Sequence, residues 1–257
     1  MPKKIIITGG LGYIGTELCK LYSGVSWNHK IVIIDNRFIS ERVNQIRNWN
    51  MEFIEGDILD KEFLKKHLHD ADVIHHLAGI TNVPRTLDEA NEERDSKIRK
   101  VGELGTQNII DVTKDSCKII FPSTHVVFEG IDKVKTDINE EETTQPTLSY
   151  AKSKAINEKQ LKSSGKNFII LRLGSVYGYS LDTTRLDIMP NLFSKISSQN
   201  GILKLFAGGQ QIKSLVPLID VARCFKFMEE NDSINSEIFN LTKDKVTVKE
   251  VANICKK

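Results

Sequence analysis

Cysteine, proline and long apolar runs are all scarce in this chain, and each scarcity removes a class of protein. Four cysteines occur in 257 residues, Cys19, Cys117, Cys224 and Cys255. They form no Cys-x-x-Cys pair and have no histidine at ligand spacing, which argues against a disulfide framework or a structural zinc site. No metal site is expected. Met-Pro-Lys-Lys runs straight into Ile5-Ile6-Ile7, with no apolar signal segment of adequate length and no stretch able to span a bilayer. A cytoplasmic protein is therefore the expectation. The chain also lacks an excess of either charge: 36 Lys and Arg stand against 34 Asp and Glu. That balance gives no reason to invoke nucleic acid or an anionic membrane as a partner.

What the sequence does contain is alternation. Lys4–Thr8, Lys30–Asp35, Met51–Glu55, Asp72–His76, Lys118–Phe121 and Phe168–Leu173 are short, β-branched and nearly all apolar. That character suits strands covered on both faces. Helix-length segments separate them, notably Tyr13–Tyr22, Lys61–His69, Thr86–Lys114 and Ser149–Ser164. Alternating β and α elements predict an α/β fold, a doubly wound parallel sheet with right-handed crossovers. The length allows one large core, or one core with a small lobe. After Ser175 the pattern breaks at Gly178, Pro190, Gly201, Gly208-Gly209 and Pro217, which predicts a smaller lobe interleaved with the last strands. Within Thr86–Lys100, Glu93/Lys97 and Asp95/Arg99 stand at i,i+4 and read as ion pairs on a solvated helix.

The first strand leads into Thr8-Gly9-Gly10-Leu11-Gly12-Tyr13-Ile14-Gly15, which satisfies G-x-G-x-x-G through Gly10, Gly12 and Gly15. Glycines at this point allow a tight turn and a close backbone approach to a pyrophosphate, and the helix start supplies N–H donors. Asp35 ends the second strand twenty residues past Gly15. A carboxylate there accepts both hydroxyls of an adenosine ribose and repels a 2′-phosphate, so NAD is favoured over NADP. Arg37 alone argues the other way, as a guanidinium able to accommodate that phosphate.

Tyr150 and Lys154 stand four apart in a helical segment and so share one helix face. A phenol titrates near pH ~10 and is a poor base at neutrality, but a neighbouring cation favours its ionised form. Tyr-x-x-x-Lys is common by chance, and its meaning depends on what stands upstream.

Together these features resemble the extended short-chain dehydrogenase/reductases, in particular the nucleotide-sugar epimerase/dehydratase branch typified by UDP-glucose 4-epimerase. The resemblance is collinear through Thr8–Gly15, Asp35-Asn36, Gly56-Asp57-Ile58, His76–Gly79, Gly105-Thr106, Ser123–Gly130, Tyr150–Lys154, Leu171–Gly178, Gly209–Ala222 and Ile238–Leu241. It implies an NAD-binding Rossmann domain over residues 1–174, with 215–241 returning to it. It also implies a small substrate-binding lobe over 175–214 and 242–257. Members of this family usually continue well past the position of Lys257, so the lobe is expected to be short at its C-terminal end.

The resemblance also assigns roles. Gly9, Gly12, Tyr13, Ile14, Gly15, Asp35, Asn36, Ser123 and Leu173 would contact NAD. Asp57 and Ile58 would flank its adenine, and Leu77, Ala78 and Gly79 would line the pyrophosphate and ribose path. Lys154 would hold the nicotinamide ribose and lower the Tyr150 pKa. Thr124 would hydrogen-bond the substrate oxygen while Tyr150 takes its proton. Thr81, His125, Ser175 and Lys213 would contact a nucleotide-sugar substrate.

Departures from the family pattern narrow the chemistry. After Thr124 the dehydratases carry Asp-Glu and the decarboxylases keep a Glu, whereas this chain has His125-Val126. Gly102 stands where a helix Asn is usual, Ser175 replaces an Asn, and Lys213 replaces an Arg, keeping charge but losing the fork. The leading expectation is an NAD-dependent epimerase that oxidises a sugar hydroxyl transiently. The alternatives are a 4-keto-sugar reductase, which the Ser123–Gly130 stretch resembles, and a catalytically silent NAD-binding protein. A homodimer paired through Thr86–Lys114 and the Tyr150 helix is a further implication.

Overall fold

A computed structural model of the chain describes residues 2–25, 28–81, 91–132, 134–181 and 183–256. Its strands in chain order are β1 (Lys4–Thr8), β2 (Lys30–Asp35), β3 (Glu52–Glu55), β4 (Val73–His76), β5 (Lys118–Thr124), β6 (Asn167–Leu173), β7 (Ser175–Tyr177), β8 (Ile212–Pro217), β9 (Glu237–Leu241) and β10 (Asp244–Thr247). The helices are α1 (Tyr13–Tyr22), α2 (Ser40–Asn48), α3 (Lys61–Leu68), α4 (Glu92–Arg99), α5 (Gly105–Val112), α6 (Ser149–Ser163), α7 (Met189–Ser198), α8 (Leu218–Glu230) and α9 (Val248–Cys255).

Seven strands form one parallel sheet in the order β3-β2-β1-β4-β5-β6-β9. This is the doubly wound Rossmann arrangement, in which the strand order reverses between β1 and β4 and opens a crevice at the strand C-termini. The period of a strand explains why the apolar runs are continuous. Ile5 and Ile7 of β1 pack with Leu18, Tyr22 and Phe225 on one face, while Ile6 packs with Leu64 and Ile109 on the other. Each buried isoleucine contributes on the order of 1.5–3 kcal/mol. A second sheet, β10-β8-β7, joins α7 and α9 around Phe193, Leu215, Val251 and Ala252.

Three sequence expectations need correction. First, β5 does not stop at Phe121, because its pairing with β6 continues to Thr124↔Leu173. The β4 ladder has already ended at His75↔Ile120, so Pro122 interrupts nothing on that side. Second, the helix expected over Thr86–Lys114 is α4 and α5 joined by a π-helical turn, Lys100–Leu104; Thr86–Ala90 lie outside the described residues. Its cause is packing. A Cβ on Gly102 would fall 2.3 Å from Ser153 Oγ, and the carbonyls of Gly102 and Glu103 accept the amides of Asn157 and Gln160 on α6, each at 3.0 Å. Third, Arg99 pairs with Glu92 (3.1 Å) rather than Asp95, whose Oδ1 is buried without a partner. No Glu93/Lys97 pair forms among the described residues.

Candidate active site

A cleft of about 1380 Å³ opens at the C-terminal ends of the large sheet. Every residue assigned above to cofactor, catalysis or substrate stands on its wall, from Gly9 and Asp35 at one end to Ser175 and Lys213 at the other.

At the first end the wall is mostly backbone. The chain leaves β1 and turns at Gly9, whose φ of +70 favours glycine and whose absent Cβ would otherwise lie 2.7 Å from Ala78 N. Gly9 N donates to Ile34 O (2.7 Å) and Gly12 N to Gly9 O (3.0 Å), closing the loop before α1. The first turn of α1 holds no acidic residue, so the positive helix end is not neutralised locally. Asp35 is buried at the end of β2, with Oδ2 accepting Leu11 N (3.1 Å) and Oδ1 accepting Arg37 N (3.1 Å) and Nε (3.2 Å). Arg37, the one sequence feature favouring a 2′-phosphate, is thus turned onto the carboxylate that disfavours it. Asp57 Oδ1 accepts Leu59 N (2.9 Å) and Asp57 Oδ2 accepts the Asn36 amide (3.3 Å), which holds Ile58 in the wall. Beneath them the His76 ring bridges Thr8 and Thr106 at 3.0 Å on each nitrogen, and Thr8 Oγ1 in turn accepts Ala78 N (3.3 Å). Burial pushes His76 down to about 3, so this brace is neutral. Close backbone, an uncompensated helix N-terminus and a strand-end carboxylate together fit a dinucleotide.

At the other end the wall is made of side chains. Thr124 closes β5 and its Oγ1 faces Val126 N at 3.4 Å. Tyr150 and Lys154 project from α6, with Lys154 Nζ donating to Pro122 O (2.7 Å) and lying 4.2 Å above the Phe121 ring. The ammonium is 5.9 Å from the Tyr150 ring centroid. Burial pushes Lys154 down to about 7 against the pull of Glu158, and pushes the Tyr150 phenol up to about 12. The charge that draws Tyr150 downward is the Arg185 guanidinium, rather than the Lys154 ammonium expected from sequence. Arg185 escaped the sequence reading because it lies in the broken region after Ser175, with no spacing to mark it. Its Nη2 donates to Thr81 O (3.0 Å), and its Nε to Asp187 Oδ1 (3.1 Å).

Ser123 stands on the cleft wall with its hydroxyl already engaged. Its hydroxyl donates to Glu158 Oε1 (2.5 Å), within a buried fork where Arg172 meets both oxygens of Glu158 at 3.0 and 2.8 Å. Tyr13 ties the glycine loop to the second lobe, donating to Gly178 O (2.5 Å) and accepting from Asn191 Nδ2 (3.2 Å). His125 lies against the Leu173 carbonyl, and Lys213 is near enough for its charge to disfavour the imidazolium. Arg94 and Lys97 of α4 also line the cleft, so that helix is not merely a solvated face. Among the described residues, no three His, Cys, Asp or Glu side chains cluster as metal ligands, and no helix is long and apolar enough to cross a membrane.

Comparison with known proteins gives a consistent result. The sequence model of the NAD dependent epimerase/dehydratase family matches residues 5–242. The putative UDP-glucose 4-epimerase of Methanocaldococcus jannaschii is 29% identical over 85% of this chain and 71% of its own length. The dTDP-D-glucose 4,6-dehydratase of Dictyostelium discoideum is 25% identical over 94% of this chain, which spans 58% of that protein's length. Among solved structures, UDP-glucuronic acid 4-epimerase from Bacillus cereus, in complex with UDP-glucuronic acid and NAD, superposes with a TM-score of 0.80. That match covers 98% of this chain and 82% of the other at 24% identity, a likeness of fold.

Proposed function

Within the NAD-dependent epimerase/dehydratase family, to which this chain belongs, we propose that the protein is a nucleotide-sugar epimerase. Residues 1–174 and 215–241 hold NAD in this reading, and residues 175–214 and 242–257 take the sugar nucleotide. The observation that supports epimerisation over elimination is the distribution of carboxylates. Among the described residues, those on the cleft wall are Asp35 and Asp57 at the adenosine end, and Asp187, forked to Arg185. None stands beside Thr124, where removal of water or carbon dioxide needs an acid/base.

When bound, NAD supplies the acceptor for a hydride and its return to the other face of the sugar. The chain's own residues do the rest. Gly9, Gly12 and the start of α1 take the pyrophosphate and Asp35 the adenosine ribose. Lys154, held by Pro122 O beside Tyr150, takes the nicotinamide ribose. Tyr150 accepts the proton of the reacting sugar hydroxyl and later restores it, and Thr124 Oγ1 hydrogen-bonds the same oxygen. A phenol pushed up to about 12 by burial holds its proton firmly. To accept the sugar proton it must first be ionised, a form favoured by the cationic pull of Arg185. Thr81, His125, Ser175 and Lys213 contact the nucleotide sugar.

The same reading carries a homodimer paired through the Thr86–Lys114 stretch and α6, where Leu104 of the π-helical turn and Ile156 of α6 are exposed at 45% and 38%. Light scattering checks it directly. For the reaction, the protein is incubated with UDP-, GDP- and dTDP-sugars, with and without added cofactor. Sugar stereochemistry is followed by NMR alongside reduced-nicotinamide absorbance. Epimerisation without net absorbance change supports the reading. Stoichiometric cofactor consumption replaces it with a 4-keto-sugar reductase, and NAD binding without reaction replaces it with a silent binding protein.

A further inference from the structure

β5 ends at Thr124 in a single 3-10 turn, His125–Phe128, and the His125 ring stands half-buried on the cleft wall. Its Nδ1 lies 2.9 Å from the backbone oxygen of Leu173, the last residue of β6. A carbonyl oxygen only accepts, so Nδ1 carries a hydrogen. The ring is also kept neutral: burial lowers its pKa, and Lys213 on β8 acts the same way against the Leu173 carbonyl and Glu129. A neutral imidazole with its hydrogen on Nδ1 has a bare lone pair on Nε2. No protein group among the described residues meets that nitrogen, and it is not sealed within the fold.

This makes His125 unlike its neighbours. Thr124, Ser175 and Tyr150 each bring a hydroxyl that donates as readily as it accepts, and Lys213 only donates. Asp187 accepts, but it is forked to Arg185. Nε2 is thus an acceptor waiting for a donor. A hydroxyl satisfies it; a carboxylate or phosphate oxygen does not, and leaves two lone pairs opposed.

We propose that His125 is a specificity-determining residue, whose Nε2 accepts a hydrogen bond from a sugar hydroxyl other than the one that meets Tyr150. The inference rests on the nucleotide-sugar reading above and adds to it the chemistry demanded of the sugar. A sugar bearing a hydroxyl at that position is bound, and one lacking it there is not rewarded. Leu173 O acts as the second partner that fixes the ring, so the tautomer is set before any ligand arrives.

The test uses NAD-loaded protein with UDP-glucose and dTDP-glucose, each measured by titration calorimetry against its own nucleoside diphosphate. His125→Phe keeps the ring volume and removes the acceptor. It is expected to weaken binding of the sugar nucleotide about tenfold and leave the nucleoside diphosphate unchanged. His125→Gln, whose side-chain oxygen takes the place of Nε2, is expected to restore part of the loss. Equal effects on both ligands, or none on either, overturn the proposal while the nucleotide-sugar reading stands. If neither sugar nucleotide binds wild-type protein that still binds NAD, that reading falls and His125 falls with it. Histidine 15N NMR of the sugar-free protein supplies an arm independent of any variant's folding. The expected signature is a proton-bearing Nδ1 and a bare Nε2; a proton on Nε2 overturns the proposal alone.

Discussion

The adenosine end of the cleft is mostly backbone with the carboxylates of Asp35 and Asp57, drawn from strand-end segments between Gly9 and Gly79. The Tyr150 end is side chains, brought from β5, α6, the β6–β7 junction, the segment around Arg185 and β8. The two ends therefore fail in different ways. A backbone-built site tolerates many side-chain changes nearby but not a Cβ where chains touch. A side-chain-built site tolerates small backbone shifts but not the loss of one functional group.

The largest expected effect falls at the side-chain end. Tyr150→Phe removes the proton carrier and keeps the ring, so turnover drops by about 10³-fold or more while NAD affinity stays within about threefold. Single-turnover kinetics and cofactor titration check the two halves separately. Near wild-type turnover would show that the proton goes elsewhere. Gly9→Val is the counterpart at the backbone end. Its Cβ meets Ala78 N and Leu77 C at 2.7 and 2.8 Å, and its φ of +70 is strained for a branched residue. Stability falls by about 3 kcal/mol and NAD binding by at least about 100-fold, measured by urea denaturation and cofactor titration. If Gly9→Val bound NAD normally, the distinction between the two ends would collapse.

The same division governs what was legible in the sequence. Gly9–Gly15 and Asp35 were readable because their geometry is local: a strand, a turn and a helix start, with a second strand alongside. Tyr150 and Lys154 were readable as a pair on one helix face, but not their electrostatics. Lys154 meets Pro122 O and the Phe121 ring across 32 and 33 positions, and Arg185 reaches Thr81 across 104. Those separations leave no periodic trace. Ser123 illustrates the point, because its hydroxyl is claimed by Glu158, which Arg172 in turn holds, residues on a helix and a strand with no shared pattern. By contrast α8 was missed although its signal was present: Leu218, Val221, Ala222 and Phe225 recur at helical spacing and are all buried.

The pH dependence of stability has one sign at both ends, rising with pH, but separates them by range. At the adenosine end His76 is pushed down to about 3 from 6.5. The unfolded chain takes up that proton as pH falls through 6.5, whereas the folded one does so only near 3. The stability is present in full above 6.5 and is lost on acidification, by about 1.4 kcal/mol per pH unit. His75, also pushed down to about 3 by burial, adds a parallel slope from the opposite face of the sheet. At the Tyr150 end Lys154 is pushed down to about 7 from 10.5, so between those values the unfolded chain holds the extra proton. Stability there rises with pH. Urea midpoints of His76→Gln and Lys154→Met against wild type should flatten the curve below 6.5 and above 7 respectively. Identical flattening by both would mean that the titrating groups are elsewhere.

The smallest expected effect concerns the turn that leads into β8 and Lys213. Ala207 sits at φ 45, ψ 42, followed by Gly208 and Gly209 at φ 64 and 73. An L-residue in the left-handed region costs roughly 1–2 kcal/mol, because its Cβ crowds the following carbonyl. Ala207→Gly removes that crowding but frees the unfolded chain, which costs about 0.4–1 kcal/mol in the opposite direction. The strain term is the larger, so the substitution stabilises by about 0.5 kcal/mol. Gly208→Ala runs the same balance in reverse at φ 64, and no heavy atom lies within 4 Å of its added Cβ. It therefore isolates the backbone cost from any clash and destabilises by about the same amount. Paired urea curves decide it. If instead Ala207→Gly lowers the midpoint and Gly208→Ala raises it, chain entropy rather than left-handed strain dominates this turn, and the second lobe carries less backbone strain than its dihedrals imply.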